Sequence, residues 1–120
     1  MTDKMSENRE YDLEKRTAKF GEDIIKFAKK IPQNVITIPL IDQLIKAGAS
    51  VGANYCEVDD AKSKKDFKHK IGICQKEACE SKHWLRMISV AVPELKRKSK
   101  KVMARSQRAP SFFQYYHQVT

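Results

Sequence analysis

Residues 63–92, SKKDFKHKIGICQKEACESKHWLRMISVAV, carry the pattern on which the fold turns. Phe67, Ile71, Cys74, Ala78, Ser81, Leu85, Ile88 and Val92 recur in steps of four and three, which keeps one side of an α-helix against a partner over its whole length. Ser63 supplies an N-cap, and Asp66 three residues on makes a weaker form of the capping box. Gly72 costs about 1 kcal/mol relative to Ala, which a continuous pattern of roughly 29 residues can absorb. Such a rod is roughly 44 Å long and needs comparably long neighbours. The expected arrangement is three rods side by side, this longest one in the middle.

Upstream, Leu13, Thr17, Phe20, Ile24, Phe27 and Ile31 repeat the same spacing, with Lys15, Lys19, Lys26 and Lys30 turned outward, so a first helix is expected over 11–31. Pro32 ends it. A second helix is expected from Thr37 or Ile38 to about Val58, with Pro39 tolerated in its first turn. Its buried side reads Ile38, Ile41, Leu44 or Ile45, Gly48, Val51 or Gly52, and Tyr55. Gly48 and Gly52, one turn apart, point to a close backbone approach to a neighbouring helix. The short link at 59–61 makes the second and third helices an antiparallel hairpin. Pro93 ends or bends the third helix, and residues 94–108 form a fourth of thin apolar content, with Leu95, Val102 and Met103 as its core candidates. The fold class is therefore all-α, an up-and-down antiparallel four-helix bundle with a degraded fourth helix. Residues 1–10 read as a flexible leader, 11–101 as the bundle domain and 102–120 as an atypical tail.

The chain has 120 residues, enough to bury a core without disulfides or metal. Cys56, Cys74 and Cys79 form no C-x-x-C pair and leave one over, which fits reduced thiols in a cytoplasmic protein. No signal peptide and no run of 18 apolar residues is present, so no membrane role is expected. The net charge of +9 is uneven: residues 93–120 hold seven Lys or Arg against one acidic residue. Excess positive charge raises affinity for phosphate backbones without choosing a sequence, and it can equally mark a solvated helix face. The expected positive surface comprises Lys62, Lys64, Lys65 and Lys68 with Lys96, Arg97, Lys98, Lys100 and Lys101.

Enzyme-like constellations are weaker. Glu80 with His83, and Asp66 with His69, give Glu-x-x-His-type pairs, but both lie on one helix roughly 21 Å apart, whereas a di-iron site needs facing helices. Cys79 and His83 offer only two ligands, short of a tetrahedral site. Each cysteine sits inside an apolar helical pattern where small buried thiols are common. No metal, cofactor, catalytic residue or small-molecule substrate is expected. Ser50, Asn54 and Glu57 share one face of the second helix. With Lys70 and Glu77 opposite, they read as a structural polar network that fixes helix register. Phe112, Phe113, Tyr115 and Tyr116 cluster beside the basic run, an arrangement that in principle suits stacking on unpaired bases.

The run Ser50-Val51-Gly52-Ala53-Asn54-Tyr55-Cys56-Glu57, followed by Ser63-Lys64-Lys65-Asp66-Phe67, Lys76-Glu77-Ala78 and Trp84-Leu85, resembles the bacterial four-helix-bundle proteins encoded in intervening sequences of large-subunit (23S) ribosomal RNA genes. A related branch is the accessory variability determinant of diversity-generating retroelements. The resemblance covers residues 11–101. It implies a homopentameric ring with a basic surface, and in the retroelement branch an association with nucleic acid and reverse transcriptase. It supplies no catalytic residue. Two functions follow as expectations: a non-enzymatic module that oligomerises and associates with RNA or a reverse-transcriptase-like ribonucleoprotein, or a protein-binding scaffold with no nucleic-acid role. Family members continue with an amphipathic fourth helix where this chain departs at 102–120. A reading-frame shift in the A-rich codons expected for Lys100 and Lys101 accounts for that departure as a hypothesis. Read one nucleotide later, a suitable choice of codons restores Trp, Ala, Leu and Ile at helical spacing, and early stops in that frame of the gene would exclude it.

Overall fold

The structure, a computed structural model, describes residues 4–58 and 60–104, with side chains from residue 13 onward. Three long helices, α1 (Lys4–Ala28), α2 (Thr37–Val58) and α3 (Lys64–Ala91), are followed by a 3-10 turn at Pro93–Leu95 and a helical segment, α4, over residues 96–104. No strand occurs among the described residues. The four-and-three spacing read from the sequence is the buried face of α1: Leu13, Thr17, Phe20, Ile24 and Phe27 are buried, as is Ile31 just beyond. Thr17 is tolerated there because its hydroxyl donates to the Glu14 carbonyl at 3.0 Å. The helix reaches back to Lys4, seven residues ahead of the first expected position, into the stretch read as a leader.

Between α1 and α2 the chain makes a reciprocal cap. Asn34 Oδ1 accepts from the Ile36 and Thr37 N–H groups at 2.9 Å each, and the Asn34 N–H donates to Thr37 Oγ1 at 2.9 Å. The Thr37 hydroxyl in turn donates to the Pro32 carbonyl at 2.5 Å. This N-x-x-T form of the capping box satisfies donors that a helix start otherwise leaves open. It also turns Thr37 inward, 1% exposed, and so corrects the expected register: Ile38 is 54% exposed, while Leu44, Gly48, Val51, Tyr55 and Val58 form the buried face.

On α3 every position of the expected seam from Ile71 to Val92 is buried, and Phe67 packs against the core from a half-buried position. Ser63 caps it, accepting from the Asp66 N–H at 3.1 Å, and the Asp66 carboxylate answers by accepting from the Lys62 N–H at 3.2 Å. One expectation is overturned: of the three long helices it is α2, not the longer α3, that packs against both others. Its glycines let it approach α1 closely. A Cβ placed on Gly48 would sit 2.8 Å from Ile24 Cγ1, so α1 and α2 touch where only hydrogen fits.

Pro93 opens the 3-10 turn, where its missing N–H is harmless, and the chain reverses into α4. Leu95 and Val102 join the single core, with Met103 packed against it. Ser99 is fully buried and donates its hydroxyl to the Leu85 carbonyl of α3 at 2.9 Å. The aromatic residues Phe112, Phe113, Tyr115 and Tyr116, and the tail expected to begin at 102, lie outside the described residues from 105 onward. No described helix is long and apolar enough to cross a membrane.

Candidate nucleic-acid interface

The reversal at Pro93 lays α4 along the C-terminal half of α3. Next to the buried seam of α3, the adjoining stripe presents Lys82, His83, Arg86 and Val90, and α4 presents Lys96, Lys100 and Met103 across from it. These two stripes wall an open groove, with Pro93 at its closed end. Four of its lining residues are permanent cations and none is acidic. A second, shallower groove on the outer side of α4 shares Lys96 and Lys100 and adds Arg97, Lys101 and Glu94. Lys96 and Lys100 therefore stand on a ridge between two basic depressions.

Of the expected positive surface, Lys96, Arg97, Lys100 and Lys101 meet at these grooves, and Lys98 is exposed but lines neither. Lys62, Lys64, Lys65 and Lys68 belong to the opposite end of α3, where Lys68 is 14 positions and so roughly 21 Å from Lys82. The two clusters form separate patches. Lys82 and Arg86 were not singled out in the sequence. Their spacing of four matches that of Lys96 and Lys100, but only the hairpin at Pro93 makes the two pairs face each other.

At the other end, Ser50 Oγ donates to the Lys46 carbonyl at 2.6 Å and Asn54 Nδ2 to the Ser50 carbonyl at 2.7 Å, both within α2. Lys70 Nζ crosses from α3 to the Glu57 carbonyl at 3.2 Å and also pairs with Asp66 at 3.5 Å. The link between the helices is thus a lysine on a main-chain oxygen. Among the described residues no hydrogen bond joins the Glu57 and Glu77 carboxylates to Ser50 or Asn54. The Lys62 N–H, aided by the charge of Lys70, holds the Asp66 carboxyl below its usual range. Burial, with Glu80 beside it, raises that of Glu77.

Cys74 is fully buried, and desolvation pushes its thiol up to about 12, which removes it as a nucleophile near neutral pH. Cys56 and Cys79 are exposed. Trp84 packs against the core and meets the His83 ring edge-on, centroids 4.8 Å apart. Among the described residues no group of three or more His, Cys, Asp or Glu side chains is placed to hold a metal ion.

Residues 9–106 match the family model of the 23S rRNA-intervening sequence protein. The fold is similar to the crystal structure of a Bacteroides thetaiotaomicron protein of unknown function from the S23 ribosomal protein family. That likeness has a TM-score of 0.79 at 20% identity, over 92% of this chain and 98% of that one. No curated protein sequence matches.

Proposed function

The chain belongs to the 23S rRNA-intervening sequence protein family, and from that premise we propose that it is a non-enzymatic, oligomerising helical module that associates with RNA or a ribonucleoprotein in the cytoplasm. The observation that carries this reading is the groove between α3 and α4, where Lys82, Arg86, Lys96 and Lys100 converge with no acidic lining residue. Cations gathered in a concave site release condensed counterions when phosphates enter, which favours binding at low salt. The unpaired cysteines among the described residues are consistent with a reducing compartment. A salt titration of RNA binding by the intact chain tests the proposal: affinity falling steeply with salt supports it, and no binding at low salt removes it.

A second reading, a protein-binding scaffold, draws on exposed apolar side chains. Val35 is 88% and Ile36 64% exposed on the turn after α1, and Val90 is 75% exposed beside the turn after α3. In an up-and-down bundle both turns lie at the same end. The same residues would serve self-assembly, and native mass with co-purifying nucleic acid assayed alongside separates the readings.

A further inference from the structure

Resting on the RNA-associating reading above, we infer that the groove between α3 and α4 takes a single unpaired RNA strand rather than a duplex, its phosphates along the two cation pairs and a base against its apolar lining. Three features of the groove lead to this. Lys82 with Arg86 and Lys96 with Lys100 each span one helical turn, roughly 6 Å along a wall, a step comparable with that between successive phosphates of one chain. The walls belong to packed neighbouring helices, whose axes lie about 8–10 Å apart, so the trough between them is too narrow for a double helix to enter. Its lining is also apolar in part: Val90 and Met103 on the walls and Pro93 at the closed end add hydrocarbon surface beside the cations.

That apolar surface discriminates. A duplex keeps its base faces stacked inside and offers a protein sugar, phosphate and base edges, whereas an unpaired strand can lay a base face on an apolar surface. A dedicated double-stranded-RNA-binding domain spreads its contacts over about 16 base pairs, a footprint longer than these four cations provide. The lining also carries the His83 imidazole, and stacking on a ring face is tolerant of base identity. No carboxylate in the lining repels the phosphates.

The test uses the full chain with an oligouridylate and, separately, with an RNA duplex of equal length. Four neutralised phosphates on a single strand give a slope of log affinity against log salt of about −2.8, hence a loss of about 50-fold between roughly 50 and 200 mM salt. Replacing Lys82, Arg86, Lys96 and Lys100 by Gln is expected to flatten most of that slope, while replacing Lys62, Lys64 and Lys65 by Gln leaves it in place. Acetylation of the unsubstituted chain supplies a readout independent of how the variants fold. The oligouridylate should protect Lys96 and Lys100 and leave Lys64 and Lys65 reactive. Tighter binding of the duplex, or protection of the distal lysines instead, overturns the assignment of strand and groove while leaving RNA association standing. Absence of binding by either RNA at low salt removes both together.

Discussion

Gly48 and Gly72 both sit inside long helices, and replacing each by alanine separates a local gain from a tertiary collision. In either helix the change from Gly to Ala should contribute about 0.8–1.0 kcal/mol through reduced backbone freedom in the unfolded chain. At Gly72 the added methyl would meet nothing within 4 Å, so Gly72→Ala should stabilise by about that amount. At Gly48 the same methyl would lie 2.8 Å from Ile24 Cγ1, 2.9 Å from Cγ2 and 3.0 Å from Cβ. Ile24 is fully buried and β-branched, with one strongly preferred χ1 in a helix, so it cannot swing aside and α1 must shift. Overpacking of this kind costs about 1–3 kcal/mol, which leaves Gly48→Ala between neutral and about 2 kcal/mol destabilised. The gap between the two variants is then about 1–3 kcal/mol, free of the shared propensity gain. Equilibrium urea unfolding measures it as a difference in midpoint at constant m. Ile24→Ala removes both crowding γ carbons at about 2–5 kcal/mol, and in combination with Gly48→Ala the loss should be smaller than the sum. If Gly48→Ala proves as stable as Gly72→Ala, or the double variant is additive, the close approach of α1 and α2 is not what glycine serves at position 48.

Thr37→Val keeps the shape of the side chain but strips the Pro32 carbonyl of its donor and the Asn34 N–H of its acceptor, and it should destabilise by about 1–3 kcal/mol in the same unfolding assay. A change below about 0.5 kcal/mol would mean that water replaces both bonds. For the cysteines, alkylation of the native protein at neutral pH should modify Cys56 and Cys79 and spare Cys74 until the chain unfolds, as peptide mapping would show. The Cys74 thiol ionises at about 12 in the folded chain against an ordinary value of 9.0, so above pH 9.0 the unfolded state sheds a proton that the folded state keeps. Stability attributable to this group should therefore fall as pH rises from 9.0 towards about 12, and Cys74→Ala should lack that component.

The helices were legible because their periodicity is written in large apolar residues: Leu13 to Ile31 and Ile71 to Val92 fall on buried faces in the expected phase. On α2 the bounds came out as expected and the phase at its start did not. An exposed Ile38 beside a buried Thr37 reverses the usual hydrophobic order, and the reversal is enforced by four hydrogen bonds made by Asn34 and Thr37 that apolar spacing does not register. The Asn34-x-x-Thr37 signature was the available signal. The central place of α2 follows from chain order, since short links pack it against both α1 and α3, and helix length, on which the expectation rested, does not decide it. The groove was half legible: the run from Lys96 to Lys101 stands out as charge, whereas Lys82 and Arg86 look like ordinary outward positions on α3 until the chain doubles back.

The hydroxyl of Ser99 on the Leu85 carbonyl has a bearing on how the groove behaves in solution. A helix laid against another can slide along its axis, and the mostly charged outer face of α4 offers little to stop it. A neutral, fully buried anchor sets that slide to one notch, and the height of Lys96 and Lys100 opposite Lys82 and Arg86 is set with it. Because no ion takes part in the anchor, added salt screens the charges of the walls without loosening it. Ionic strength therefore acts on what the trough holds and not on the bond that sets its walls.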